Sequence, residues 1–220
     1  MEHKRVTLLC GHYGSGKTNI AVNMALDMKK KYNNVAIADL DIVNPYFRTK
    51  DSQKELEEAG IRFIGSKYAN SNLDIPALPS ELYAITADKS CMTIVDVGGD
   101  DRGAVALGRF RPALLEEDNY DFLAVINKYR PLTSDVSSTI EIMHEIEAAC
   151  RLKFTAVINN SNIGCETTGE DVLNTIAYGE EVAARFGIPV CMTTVDESLY
   201  EELKDKIPNL FPLHLQSKIW

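Results

Sequence analysis

The residues from Gly11 to Thr18, Gly-His-Tyr-Gly-Ser-Gly-Lys-Thr, fit G-x-x-x-x-G-K-[ST] and directly follow the apolar run Val6-Thr7-Leu8-Leu9-Cys10. A strand feeding a glycine-rich turn and then a helix presents a nest of backbone N–H groups to an anion. Glycines at 11, 14 and 16 let the chain wrap closely around phosphate oxygens. The Lys17 ammonium can reach the β- and γ-phosphates, and the Thr18 hydroxyl can ligate Mg²⁺. A helix-like run opens at Asn19. Gly11, His12, Tyr13, Gly14, Ser15, Gly16, Lys17, Thr18 and Asn19 are therefore the expected binding residues for a nucleoside triphosphate.

Carboxylates follow at two further strand ends. Asp39-Leu40-Asp41 closes the second β-branched run, and side chains at i and i+2 leave a strand on the same side. Beside a phosphate-bound Mg²⁺, one can hold metal waters while the other orients an attacking water. The alternative is a structural role as turn acceptors or a helix cap. Thr93-Ile94-Val95-Asp96 ends another apolar run, and an aspartate there suits the outer shell of the same ion. The Gly98-Gly99 pair after it would let a backbone N–H approach the γ-phosphate and move when that group leaves. Arg102 and Arg109 are further cations that could offset phosphate charge, or ordinary surface arginines.

Asn127-Lys128-Tyr129-Arg130 begins like the guanine-reading Asn-Lys-x-Asp, but Arg130 stands where the carboxylate would be. ATP is accordingly the expected nucleotide, with GTP second.

The elements that must position these groups alternate along the chain. Strands are expected near residues 6–10, 35–39, 62–65, 92–97, 122–126, 154–159 and 189–193, with helices near 17–31, 52–59, 80–87, 134–151, 169–186 and 197–206. Such alternation predicts an α/β fold: a mostly parallel sheet of about seven strands in a three-layer α/β/α arrangement. Ligands in such sheets sit beyond the carboxyl ends of the strands, where all the residues above fall. Residues 65–80 are the least regular stretch, either a solvated loop or one that faces a partner or substrate.

With 220 residues and 45 % apolar content, one domain spanning 1–220 is expected. A formal net charge of −9 argues against general nucleic-acid binding. Five scattered cysteines (10, 91, 150, 165 and 191) with no C-x-x-C read as core thiols in a reducing compartment. Nothing before the first strand resembles a signal peptide, and no apolar run reaches the roughly 20 residues that span a bilayer. A cytoplasmic protein is expected. The apolar tail from Leu210 through Leu215 to Trp220, interrupted by Pro212, is expected to pack on the domain or a dimer surface, not on a membrane.

Taken together, these motifs resemble those of the MinD/ParA/Mrp-type ATPases, which share a CobQ/CobB/MinD/ParA nucleotide-binding domain of the P-loop NTPase fold. The matching pieces are Gly11 to Thr18, Asp39-x-Asp41-x-x-x-Pro45, Asp96-Val97-Gly98-Gly99, Asn159-Asn160, and Ile188-Pro189-Val190 leading to Val195-Asp196. The resemblance implies that Lys17 binds the β/γ-phosphates and that Thr18 ligates Mg²⁺ with Asp96 in its outer shell. It implies that Asp39 supports the metal, that Asp41 positions the hydrolytic water, and that Asn159 or Asn160 with the Asp196 loop holds the base. A nucleotide-dependent homodimer coupled to a protein partner is also implied. One position departs: the family usually carries a lysine after the first loop glycine, where this chain has His12, a weaker phosphate clamp. The paired cysteines of the iron–sulfur branch are missing. A Mg-dependent ATPase acting in regulation or maturation is the leading expectation. A small-molecule kinase or ligase, with an acceptor pocket near 65–80 and 160–168, and a non-hydrolysing nucleotide sensor are the alternatives.

Overall fold

The structure, a computed structural model, describes residues 3–40, 50–65, 83–98 and 101–214. Among them the seven expected strands are present: β1 (Val6–Cys10), β2 (Val35–Asp39), β3 (Arg62–Ile64), β4 (Met92–Asp96), β5 (Tyr120–Ile126), β6 (Ala156–Asn159) and β7 (Val190–Asp196). An eighth, β8 (Leu210–Leu213), pairs with β7 and puts Pro212 opposite Val195. The tail expected to pack on the domain or a dimer surface thus begins as a strand. Proline lacks the N–H that a central ladder needs, but β8 is an edge strand with one neighbour, which tolerates it. The sheet order is β3-β2-β4-β1-β5-β6-β7-β8, and every neighbouring pair is parallel. All eight carboxyl ends therefore open on one edge of the sheet, and the candidate residues converge there.

Side chains alternate between the two faces of each strand, so both faces must be covered. The helices are α1 (Lys17–Lys29), α2 (Lys50–Glu58), α3 (Ala84–Ala87), α4 (Asp101–Gly108), α5 (Arg111–Glu117), α6 (Val136–Cys150), α7 (Gly169–Leu173), α8 (Ile176–Phe186) and α9 (Glu197–Leu203). Leu9, Ile37, Ile94 and Val125 pack with Ile20, Met24 and Met28 of α1 and Leu56 of α2. From the opposite face, Leu8, Val95, Phe122 and Ala124 meet Leu107 of α4, Met143 of α6 and Val182 of α8. Phe122 and Phe154 stack there with ring centroids 4.2 Å apart, a contact worth about 0.5–1.5 kcal/mol beyond its buried area. The three-layer α/β/α arrangement is the observed one.

Two segments differ from expectation. Residues 169–186 form two helices, because α7 stops at Asn174 and α8 starts after Thr175. Thr175 Oγ1 donates to Val172 O at 2.8 Å, and its backbone carbonyl accepts from Asn159 Nδ2 at 3.2 Å, fixing the break. Residues 101–117, not expected to be helical, form α4 and α5. At the opposite end of the sheet, the buried Arg5 guanidinium donates to the carbonyls of Ile85, Asp88 and Cys91 and pairs with Glu117, which also holds Lys89. No helix among the described residues is long and apolar enough to cross a membrane.

Candidate functional site

Strand β1 runs into the glycine loop with no intervening residue, and α1 starts at Lys17. Gly16 caps α1 in the left-handed region at φ 89°. A Cβ at Gly16 would collide with Asn160 Nδ2, so only glycine fits both the backbone angle and the space. Ser15 N donates to His12 O at 3.2 Å, closing the loop. Lys17 is 7 % exposed, and its ammonium donates back to Gly11 O at 3.0 Å and His12 O at 3.3 Å. The loop carbonyls thus satisfy a buried cation and hold it over the nest. Tyr13 is 61 % exposed on the rim, and His12 Nδ1 lies 3.0 Å from Tyr13 O. Asn19 sits in the first turn of α1, its carbonyl accepting from Asn23 Nδ2 at 2.9 Å.

Next to the loop, Thr18 Oγ1 donates to Asp96 Oδ2 at 2.5 Å, and Asp96 is 1 % exposed. A hydroxyl that donates its proton to a carboxylate keeps its lone pairs for a cation, which is the polarity a Mg²⁺ ligand requires. Asp39 ends β2 in register with Asp96 of β4, so the two strand-end aspartates occupy paired positions at the carboxyl edge of the sheet. Asp41, Pro45, Gly99 and residues 66–80 lie outside the described residues. Gly98 is described, and α4 begins at Asp101 behind it, with Arg102 in its first turn. Arg109 is exposed in the turn between α4 and α5.

Do these residues fit a triphosphate and its ion? Ser15 Oγ answers directly: it is buried in the loop and has no hydrogen-bond partner among the described residues. An orphaned buried hydroxyl costs about 1–3 kcal/mol, a cost that an anion seated in the nest would remove. The donor set, Ser15, Lys17 and the loop amides, fits phosphate; Thr18 with Asp96 and Asp39 fits Mg²⁺.

The asparagine pair divides its duties. Asn159 is 1 % exposed; its amide donates to Thr175 O and Oγ1, and its Oδ1 accepts from Ser161. It is committed to packing α8 against β6. Asn160 Nδ2 donates to Ser15 O at 2.6 Å, while its Oδ1 accepts from Thr194 Oγ1 at 2.6 Å and Asn162 Nδ2 at 3.1 Å. One amide proton of Asn160 is left over. Asn160 also lines a cleft with Asn162, Gly164, Thr167, Val172, Thr194, Val195, Asp196 and Leu213, enclosing about 300 Å³ of space that includes open solvent. Asp196 caps α9, its Oδ1 accepting from Ser198 N at 2.9 Å and from Ser198 Oγ at 2.5 Å. Asn162 and Thr167 fall in the 160–168 stretch expected to face an acceptor, whereas Thr194 and Leu213 carry no motif and reach the cleft only through the β6–β7–β8 pairing.

Asn127 folds into its own loop, with Oδ1 accepting from Tyr129 N at 2.9 Å and Asn162 N at 3.3 Å. Lys128 Nζ lies 5.9 Å from the centre of the Tyr178 ring. Neither lines the cleft. Arg130 turns the other way: Nε donates to Gly14 O at 2.8 Å, a contact with no signal in the sequence.

No protein-family model matches the chain, and no curated protein does. Solved structures do. The signal recognition particle receptor FtsY from Elizabethkingia anophelis in complex with GDP aligns at TM-score 0.53 and 15 % identity over 89 % of this chain and 58 % of that one. Signal recognition particle 54 kDa protein from Aeropyrum pernix K1 in complex with GDP aligns at TM-score 0.55 and 18 % identity, over 87 % and 41 %. FlhF complexed with GTP/Mg²⁺ aligns at TM-score 0.54 and 14 % identity, over 88 % and 66 %. The chain thus spans only about two fifths to two thirds of the length of these structures. At such identities the likeness is one of fold, and the fold is that of the P-loop NTPases.

Proposed function

We propose that this protein binds a purine nucleoside triphosphate with Mg²⁺ at the carboxyl edge of its sheet and hydrolyses it. The observation that carries the reading is the orphaned Ser15 Oγ, buried in a closed glycine loop beside Lys17 and the Thr18–Asp96 pair. The loop amides, Ser15 and Lys17 hold the β- and γ-phosphates. Thr18 and Asp96 hold Mg²⁺, with Asp39 beside them; when bound, the ion offsets the negative charge on the phosphates. Asp41, two residues past the end of β2, orients the water that attacks the γ-phosphorus. The bond from γ-phosphorus to the bridging oxygen breaks, giving a nucleoside diphosphate, inorganic phosphate and a proton. The base enters the cleft beside Asn160, whose spare amide proton suits N7 of either purine.

We take ATP as the substrate. Asp196, the carboxylate in the cleft, already accepts two hydrogen bonds on Oδ1, and Arg130 replaces the acidic residue that would read guanine. GTP is the second reading, favoured by the GDP- and GTP-bound structures that share the fold. The motif set supports the MinD/ParA type of cycle, in which the triphosphate form dimerises and engages a protein partner. Phosphate release from ATP and from GTP, with Mg²⁺ and with EDTA, tests the reading. Slow Mg-dependent release, faster with ATP, is expected. Release from neither nucleotide would leave only the sensor alternative, and release confined to an added acceptor would favour the kinase or ligase.

A further inference from the structure

The polarity of the contacts around Asn160 is fixed by its neighbours. Its backbone N–H donates to Ile126 O at 2.9 Å, which ties its main chain to the end of β5. Its Nδ2 donates to Ser15 O at 2.6 Å, and a backbone carbonyl can only accept. The amide nitrogen must therefore face the phosphate loop, with Oδ1 turned the other way. There Oδ1 meets Thr194 Oγ1 of β7 at 2.6 Å and Asn162 Nδ2 at 3.1 Å. A hydroxyl has a single proton to give. The other acceptor within reach, Asn159 O, lies 3.5 Å from Thr194 Oγ1, so the proton goes to Asn160. Thr194, Asn160 and Ser15 are all buried, and two directed hydrogen bonds run from β7 through the end of β6 into the loop after β1.

The far end of that relay is the part of the loop with the freest backbone. Ser15 stands between two glycines in the left-handed region, Gly14 at φ 78° and Gly16 at φ 89°. Inside the loop, Ser15 N and the Lys17 ammonium hold the carbonyls of His12 and Gly11. Ser15 O is held from outside, by the Asn160 amide. Gly14 O is also held from outside, but by Arg130, which is exposed. A buried hydrogen bond of this kind is the stronger restraint, because water cannot stand in for a lost partner.

We infer that Thr194 is a positioning residue for the phosphate loop: its hydroxyl locks the Asn160 amide, and through it the Ser15 carbonyl. The inference rests on the nucleotide site proposed above. Thr194 acts through Asn160 and touches no phosphate. Without the hydroxyl, Oδ1 keeps only the longer bond from Asn162, the amide loses its fixed direction, and the loop populates shapes that fit a phosphate chain less well.

Thr194→Val removes the hydroxyl and keeps the branched shape, whereas Thr194→Ser keeps the hydroxyl. Dissociation constants for inorganic tripolyphosphate and for a non-hydrolysable ATP analogue, both with Mg²⁺, are measured by calorimetry on these variants, on Asn160→Ala and on Asn160→Ala/Thr194→Val. Thr194→Val should weaken both probes by roughly three- to tenfold, and Thr194→Ser should stay within about twofold of the wild type. Added to Asn160→Ala, Thr194→Val should change affinity by less than about twofold, because the residue it acts through is gone. A hydroxyl with a merely structural role would lower stability and leave the affinity of the folded protein unchanged. That result, an equal loss in both backgrounds, a loss confined to the ATP analogue, or no rescue by serine would each overturn the inference. Amide NMR without ligand supplies an independent readout: the Asn160 side-chain signals, assigned by their disappearance in Asn160→Ala, and the Gly16 backbone signal should shift or broaden in Thr194→Val but not in Thr194→Ser. Unchanged signals would also overturn it. A wild type that binds neither probe would bring down the nucleotide site, and the NMR comparison would then decide the positioning role alone. Should Thr194→Val not fold, Asn162→Ala removes the other donor to Oδ1 from a half-buried position and should move the same readouts in the same direction.

Discussion

Asn160 Nδ2 donates to Ser15 O across 2.6 Å, joining the end of β6 to the phosphate loop 145 residues earlier in the chain. The same amide nitrogen fills the space above Gly16. This one contact connects the base end of the candidate site to its phosphate end, so loop shape and base placement are coupled. Asn160→Ala leaves Ser15 O and the Thr194 hydroxyl short of a partner, at a cost of about 1–3 kcal/mol in stability. Affinity for the nucleotide should fall roughly tenfold, equivalent to about 1.4 kcal/mol. Chemical denaturation and calorimetry on the same variant check both numbers. Gly16→Ala should be worse on both counts, since it adds strain at φ 89° to the collision.

Asp41→Asn separates binding from chemistry. The amide keeps the shape of the carboxylate but loses the charge that orients water, so affinity should stay within about twofold while turnover drops by roughly 100-fold or more. Single-turnover phosphate release measures the second quantity. Equal turnover in both proteins would remove Asp41 from the mechanism.

The MinD/ParA type of cycle predicts assembly that depends on the third phosphate. Light scattering after size exclusion should give a monomer with ADP and Mg²⁺ and a dimer with a non-hydrolysable ATP analogue. His12→Lys introduces the cation usual at this position in the MinD/ParA-type ATPases that the motifs resemble, and should strengthen that dimer. The same mass in both nucleotides, for wild type and variant, would argue for the sensor or transferase alternatives.

Far from the site, Glu117 predicts the acid limb of stability. The Arg5 guanidinium and then the Lys89 ammonium hold its carboxyl down to about 2, from an ordinary 4.5. A carboxylate with a depressed value contributes stability that is complete above about pH 4.5 and is lost as the pH falls through about 2. Urea midpoints for wild type and Glu117→Gln should therefore diverge above pH 4.5 and converge towards pH 2. Parallel curves would show that the pair contributes nothing that titrates.

How much of this was legible in the sequence depends on range. Gly11 to Thr18 is a local motif, because the loop, its glycines and its lysine all lie within eight residues. Strands β1 and β2 were placed to the residue because they are buried apolar runs between clear breaks. The edge strand β8 was not, since Pro212 argues against a strand until one knows that it has a single neighbour. The break at Thr175 was hidden for the opposite reason: the amphipathic pattern runs on through it, and the cause is a side chain 16 residues away, Asn159. That contact also decides which of the two asparagines faces the cleft, a question their adjacent positions could not answer. Arg130 was visible only as a missing carboxylate. Its grip on Gly14 crosses 116 residues and emerges only once β1 and β5 are neighbours.

The central claim is a Mg-dependent triphosphate site built on Lys17, and thermal unfolding with ligand tests it most directly. At a ligand concentration of about 100 times Kd, binding adds about 2.7 kcal/mol, or a rise in Tm of roughly 5–10 °C for a chain of this size. The wild type should show that rise with ATP and Mg²⁺, and GTP with Mg²⁺ should raise it less. Lys17→Ala should show none with either nucleotide. An unchanged wild-type Tm with both nucleotides, or an equal rise in Lys17→Ala, would contradict the assignment.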